Sequence, residues 1–424
     1  MKTTLKILIA VLSLLISHLS YSQQQLTIEQ CYQLAEQNYP LAKQRDLIRQ
    51  TAEYKIDNIS KGIYPQFGLT GSATYQSDVT KIDINIPNLP VNIPSMPKDQ
   101  YKIYGEVSQS LTDFPLNKAQ RDLKKLESDI QEQNINVELY KLHERINNLF
   151  FGVLLIDEQL KQSGLVQGDI NRGIKQTEAA IKNGTAFRSN LDKLKAELLK
   201  IDQKDIELTA SRKAYTDMLG LFIGRKLDSS TVFIKPALRL NNDSINRPEL
   251  KTYSLQKIAS AAQDKLLKLR NIPKVNAFFQ GGVGRPNPFN ILSSKFSPYY
   301  ITGVQLKWSP TGLYTLKKEK KITANDRAGI DVLQNTFLFN TNVQLSQQNA
   351  DIQKYLNLIE TDNAIIALRE SVKNTSVVQL ENGVITTNDY LKEVNEEDQA
   401  RQNLILHNLQ LLMIQYQQKI TSGN

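Results

Sequence analysis

Residues 64–78 read YPQFGLTGSATYQSD. From Gln66 to Tyr75 one parity is Phe67, Leu69, Gly71, Ala73 and Tyr75, and the other is Gln66, Gly68, Thr70, Ser72 and Thr74. Apolar residues on one face and small or polar residues on the other, at period two, predict a strand. The same pattern returns in KVNAFFQGGVG (274–284), where Val275, Ala277, Phe279, Gly281 and Val283 share a parity. Each of these strands leads to a loop rich in Pro and Asn, IPNLPVNIPSMPKD (86–99) and RPNPFNILSSKFSP (285–298). A second alternating run follows each loop, YKIYGEVSQSL (101–111) and YITGVQLKWS (300–309). Strand, loop and strand therefore occur twice.

The remainder predicts helix. After Pro115 the chain runs without another proline from Leu116 to Lys182, and the second half does the same from Leu316 to Glu381. An unbroken helix of that size is about 100 Å long. Leu142, Ile146, Leu149, Val153 and Leu160 recur at helical spacing, as do Ile405, Leu409, Leu412 and Tyr416. Both long helices end at Asn-Gly, Asn183-Gly184 and Asn382-Gly383, 199 residues apart. Asn-Gly supplies the positive φ that stops a helix and lets the chain reverse. Ser189-Asn190 and Thr387-Asn388-Asp389 stand as capping candidates for the returning helices.

Nearly constant offsets between these landmarks predict a duplicated unit. The expected organisation is a leader at 1–22, a first repeat at 23–219 (helix, two strands, long helix, return helix), a linker at 220–248 and a second repeat at 249–424. The linker carries Gly220, Gly224, Pro236 and Pro248, with a short strand near Thr231–Ile234.

Met1–Ser22 has Lys2 and Lys6, an apolar run from Ile7 to Ile16 and small residues before Gln23. That is the pattern of a secretory signal peptide, too short in its apolar run to span a membrane. Its removal lowers the formal net charge of +9 by two, a modest and dispersed excess that does not predict nucleic-acid binding. The one cysteine, Cys31, excludes an internal disulfide framework and reads as a small buried residue on a helix face.

Strands of about ten residues with one apolar face match the length that crosses a bilayer in a barrel. Four strands cannot close around a channel, whereas three copies supply the strands for one that has a lumen. In that assembly Phe67, Leu69, Tyr75, Val275, Phe279 and Trp308 face lipid. Gln66, Thr70, Thr74, Asn276 and Gln280 face water.

Over nearly all of its mature length the sequence resembles the TolC-like outer-membrane efflux proteins. The resemblance rests on LTIEQCYQLAEQNYPLAKQ (26–44), GIYPQFGLTGSATYQ (62–76), NNLFFGVLLIDEQL (147–160), NGTAFRSNLDKLKAEL (183–198) and NGVITTNDYL (382–391). QGGVGRPNPFN (280–290) and YYITGVQLKWSP (299–310) are similar to the Bacteroidetes version. The resemblance implies a mainly α fold with membrane β structure and two internal repeats. A trimeric 12-stranded outer-membrane β-barrel, four strands per chain, would continue into a long periplasmic α-helical barrel. It implies an exit duct of a tripartite efflux or type I secretion system, passively conducting substrates from an inner-membrane pump of RND or ABC type through a periplasmic adaptor. The alternative is an exported helical structural or adaptor protein without a pore.

No catalytic, cofactor-binding or metal-binding residues are expected. His143 and His407 sit in helical text, and GGVGRP (281–286) ends a strand and enters a proline-rich loop, which is not the context of a phosphate loop. By resemblance the channel's constriction lies at the periplasmic tip, near the turns Asn183, Gly184, Asn382 and Gly383. Asn190 and Asp389 each lie six residues beyond their glycine, and Lys392 stands where the family commonly has a second acid. Asn190, Asp389 and Lys392 are the candidate aperture residues. Asp389 reads equally as a helix cap.

Overall fold

The computed structural model describes residues 25–79, 95–237 and 244–424. The expected leader, and most of the loop read at 86–99, lie outside the described residues. Described in chain order are β1 (Gln25–Leu26), α1 (Ile28–Asn38), a 3₁₀ turn (Pro40–Lys43), α2 (Gln44–Lys61), β2 (Gln66–Tyr75) and β3 (Asp99–Ser110). Then come α3 (Phe114–Tyr140), α4 (Leu142–Lys182), α5 (Arg188–Ile223), β4 (Val232–Phe233) and α6 (Pro248–Arg270). The last elements are β5 (Lys274–Arg285), β6 (Ser297–Lys307), α7 (Gly312–Glu381) and α8 (Thr387–Ser422).

These elements gather into two compact units, one of Met1–Lys43, Ile135–Pro248 and Thr336–Asn424, the other of Gln44–Asn134 and Glu249–Asn335. The second unit holds the four-stranded sheet, in the order β2-β3-β5-β6 with every neighbour antiparallel. Beside it Leu116, Ala119 and Leu123 of α3 pack on Leu266 and Leu269 of α6.

In the first unit the N-terminal segment is tied in by a parallel β1–β4 pair, Gln25 beside Val232 and Leu26 beside Phe233. A capping box opens α1: the Thr27 hydroxyl accepts from the Gln30 N–H, and the Gln30 side chain accepts from the Thr27 N–H. Ile28, Cys31 and Ala35 bury one face of α1, while α4 contributes Ile146, Phe150 and Val153. Phe150 meets Phe233 edge to face at 5.4 Å. Fully burying a side chain such as Phe150 is worth roughly 2–3 kcal/mol. Burial pushes the Cys31 thiol up to about 12, which leaves it an inert core group.

Three helix boundaries differ from the sequence reading. The first long helix starts at Phe114, with Pro115 in its first turn, where a missing N–H costs nothing. It is interrupted at Lys141, which keeps helical angles and donates its N–H to the Val137 carbonyl at 3.3 Å. Helix α5 continues through Gly220 to Ile223, into the stretch read as linker, and stops at the left-handed Gly224. By contrast α7 runs unbroken for 70 residues.

Candidate functional site

Two regions hold the residues singled out by sequence, the sheet of the second unit and the two helical turns of the first. In the sheet the register decides which side chains share a face, because residues directly opposite in adjacent strands point the same way. Phe67 lies opposite Val107, Val107 opposite Phe279, and Phe279 opposite Thr302. Leu69, Gly105, Gly281 and Tyr300 form the next row, and Gly71, Ile103, Val283 and Pro298 the one after. Val275 faces Leu306, and Ala277 faces Val304. All four apolar parities therefore fall on one face, on which Phe279 stacks on Tyr300 with ring centroids 6.3 Å apart.

Phe67, Leu69, Tyr75, Val275 and Phe279 all belong to that face. Trp308 lies one residue past the end of β6, where the strand's parity continues, and its indole N–H donates to the Asn271 carbonyl at 3.1 Å. Phe67, Leu69 and Tyr75 are 80%, 77% and 79% exposed. A contiguous apolar face of this kind marks contact with a membrane or another chain. The opposite face carries Gln66, Thr70, Thr74, Asn276 and Gln280, together with Lys102, Glu106, Lys274 and Lys307. Strands β2 and β6 are the outer members of the sheet within one chain, so each presents unpaired backbone groups on one side.

The two turns share a backbone design. After α4 the Gly184 N–H donates to the Ile181 carbonyl at 3.0 Å and the Thr185 N–H to the Ala180 carbonyl at 2.8 Å. After α7 the Gly383 N–H donates to Leu380 at 3.1 Å and the Val384 N–H to Gln379 at 2.8 Å. Both are Schellman closures, and both glycines take the positive φ they require, 72° and 66°.

Their exits differ. Helix α8 opens with Thr386 as N-cap: its hydroxyl accepts from the Asp389 N–H at 3.3 Å, and Asp389 Oδ2 accepts from the Thr386 N–H at 3.0 Å. Helix α5 opens with Phe187 as N-cap and no side-chain bond, so the expected cap at Ser189-Asn190 is corrected. Asn190 and Asp389 occupy the same third position of their helices. The Thr386 hydroxyl first, then its backbone N–H and the charge of Lys392, hold the Asp389 carboxyl below the ordinary carboxylate range.

Within one chain Asp389 and Lys392 are neighbours on α8, while Asn190 lies on α5. Asn190 lines a cleft of about 790 Å³ between the two turns, together with Phe187, Lys193, Asn382, Gly383 and Thr386. Asp389 lines a separate groove with Ser371, Gln379, Ile385 and Glu393. Lys392 is exposed one turn further along α8.

Behind the turns an apolar cluster of Val166, Ile170, Leu194, Tyr390 and Val394 joins α4, α5 and α8. The ring of Tyr390 lies where any side chain at Gly173 would stand, and its hydroxyl donates to the Asp169 carbonyl at 3.0 Å. Beside this cluster lies a buried ionic group that the sequence reading missed. Lys373 reaches Asp169 at 2.9 Å and Glu397 at 3.4 Å, Arg401 also binds Glu397, and Glu397 is only 2% exposed. A signal for it existed. Asp169 falls between Val166 and Ile170, and Glu397 three residues after Val394, so both acids interrupt apolar stripes.

His143 donates or accepts at Glu36 over 2.7 Å and stacks on Tyr32, while His407 meets Asp362 at 2.6 Å. No cluster of potential metal ligands occurs among the described residues.

No protein-family model matches the sequence, and no curated protein matches it. Solved structures do. The chain superposes on the outer-membrane channel OprN with a TM-score of 0.66 and 13% identity, over 93% of this chain and 89% of that one. It superposes on the outer membrane protein VceC from Vibrio cholerae with a TM-score of 0.65 and 13% identity, over 94% and 96%. With the open state of the Neisseria gonorrhoeae MtrE outer membrane channel the score is 0.65 at 11% identity, over 94% and 89%. At such identities the likeness is one of fold, and the fold is that of TolC-like outer-membrane channels.

Proposed function

We propose that the protein is an outer-membrane exit duct. It sits in the outer membrane and extends into the periplasm as a homotrimer. Each chain contributes four strands to a 12-stranded barrel and its long helices to a periplasmic α-barrel. The two halves of each chain are copies of one structural unit. It conducts substrates passively from an inner-membrane RND or ABC-type pump, received through a periplasmic adaptor protein, in a tripartite efflux or type I secretion system.

One observation carries this reading: a four-stranded sheet whose apolar face exposes Phe67, Leu69, Tyr75, Phe279, Tyr300 and Leu306 and whose two outer strands have no strand partner among the described residues. Neither property suits an isolated soluble sheet. Lipid against the apolar face and two further copies against the edges remove both. The apolar face then meets lipid through Phe67, Leu69, Tyr75, Val275, Phe279 and Trp308. The turns at Asn183-Gly184 and Asn382-Gly383 form the periplasmic tip, where Asn190, Asp389 and Lys392 from three chains line the aperture.

Substitution on the two faces tests the barrel. Leu69→Arg places a charge against lipid at a cost of about 2–4 kcal/mol per chain near mid-membrane and abolishes the trimer. Thr70→Arg, on the opposite parity, leaves it assembled. Mass photometry of detergent-extracted protein reads the outcome. Monomers alone in the unmodified protein, or equal loss of trimer from both variants, would reject the barrel and favour an exported helical protein without a pore.

A further inference from the structure

The polar face of the sheet is not evenly charged. It presents Lys102 on β3, Lys274 on β5 and Lys307 on β6 against a single carboxylate, Glu106. Glu106 is engaged by an uncharged partner, accepting from the Gln280 side chain at 2.6 Å. Lys274 leans to Asp113, beyond the end of β3, at 3.2 Å. Lys102 and Lys307 form no ion pair among the described residues. Lys102 lies over the Tyr104 ring at 4.6 Å from its centroid, with Tyr299 at 5.7 Å, both on the same face.

The register sharpens the imbalance. Lys274 and Lys307 are directly opposite across β5 and β6, and like charges in that relation destabilise a sheet. Stability alone would favour an acid at one of the two positions. Lys102 pairs with Gly284, ten residues along β5 from Lys274, so the two positive zones are about 34 Å apart at the usual rise per residue. That exceeds the screening length of about 10 Å at ordinary ionic strength, so each zone acts on its own. On the apolar face, by contrast, the charges near the loop end neutralise each other, Arg285 against Asp99 at 3.1 Å.

We infer that the polar face of the sheet selects for anions, with Lys102 and Lys307 as the residues that set the preference. The inference rests on the duct reading, in which this face lines the lumen and each lysine is repeated three times around it. Rings of lysine favour anions electrostatically, and the single Glu106 per chain leaves them in excess. The substrate class that fits is organic anions. Their charged group meets Lys102, and an apolar or aromatic body lies along Tyr104 and Phe278, half-buried residues of the same face.

Reversal potentials of the purified full-length trimer in planar bilayers under a potassium chloride gradient test this. The expected chloride-to-potassium permeability ratio is above one. Lys102→Glu and Lys307→Glu each lower it, the double variant takes it below one, and raising the salt weakens the effect. Should a charge reversal impair assembly, Lys102→Cys offers a second route by labelling the assembled trimer. An anionic methanethiosulfonate then lowers the ratio and a cationic one restores it, while buried Cys31 stays unlabelled. A potassium preference in the unmodified trimer, or a ratio that ignores both the lysine variants and the labels, overturns the inference and leaves the duct reading intact. A trimer without conductance overturns both.

Discussion

The turns after α4 and α7 stop their helices with the same hydrogen bonds and start the next helices by different means. Each closes through a left-handed glycine, and each new helix begins four residues beyond that glycine. The identical turn length puts Phe187 at one N-cap and Thr386 at the other. Thr386 and Asp389 satisfy one another's backbone donors, whereas Phe187 offers no acceptor and is 79% exposed. The hairpins behind the turns differ in the same sense. Between α7 and α8 run ion pairs from Lys373 to Glu397, Arg401 to Glu370 and Arg369 to Glu396, with His407 on Asp362. Between α4 and α5 the polar links are fewer, Arg212 to Asp157 and Gln167 to Asp202 and Asp205, and Tyr215 packs where Gly152 leaves room. A shared backbone geometry thus carries one hairpin held by charge and one held by close packing.

The sharpest break in that contrast comes from Lys373. Lys373→Met leaves Asp169 and Glu397 buried with one compensating cation fewer. Removing one member of a buried ionic group costs about 3 kcal/mol or more. Hydrogen exchange should show α7 and α8 amides losing far more protection than those of α5. Replacing the three buried members, with Asp169→Asn, Lys373→Met and Glu397→Gln together, should recover most of the loss, because the cations left behind reach solvent: Arg172 is largely exposed, and Arg401 is partly exposed and keeps Glu370. Equal loss of protection in both hairpins would mean that charge does not distinguish them.

A smaller effect separates the caps. Thr386→Ala removes the N-cap of α8 and should cost about 1 kcal/mol, read as faster exchange of the Thr387–Asp389 amides. Phe187→Thr with Asn190→Asp builds the missing box on α5 and should slow the amides of residues 188–190 by a similar energy, about 1 kcal/mol. If the constructed box leaves those amides unchanged, the open start of α5 is set by something other than its cap residue.

The strands were legible because period two needs only local sequence: β2 falls on the residues whose parity predicts it, and the other three differ by a few residues at their ends. The reversals were legible because Asn-Gly has few other uses at the end of a helix. The N-caps were not. Ser189-Asn190 has the better capping composition, but the fixed length of a Schellman turn, not residue type, decides where the next helix starts. The ionic group was out of reach for another reason. Its members come from α4, α7 and α8, and only folding brings residues 169, 373 and 397 together. A lone acid in an apolar stripe signals that a partner exists without naming it.

The least visible difference between the turns is the charge at the shared third position, Asn190 in one and Asp389 in the other. Hydrogen bonds from Thr386 depress the pKa of the Asp389 carboxyl below the ordinary carboxylate value. Its contribution to the cap is therefore complete above that ordinary range and disappears as the pH falls through the depressed value. Its second oxygen has no partner among the described hydrogen bonds, so the cap does not consume the charge that an aperture would use. If three copies of Asp389 and Lys392 line the tip, they act in opposite directions on passing ions. Asp389→Asn should then shift reversal potentials toward anions and Lys392→Gln toward cations, with the trimer intact in both. Asn190→Asp, which copies the charge into the uncapped turn, should move the potential toward cations only if that turn also faces the aperture. Unaltered potentials in both the Asp389 and Lys392 variants would leave Asp389 as a cap alone, and the two turns would differ in how they hold a helix but not in what they let through.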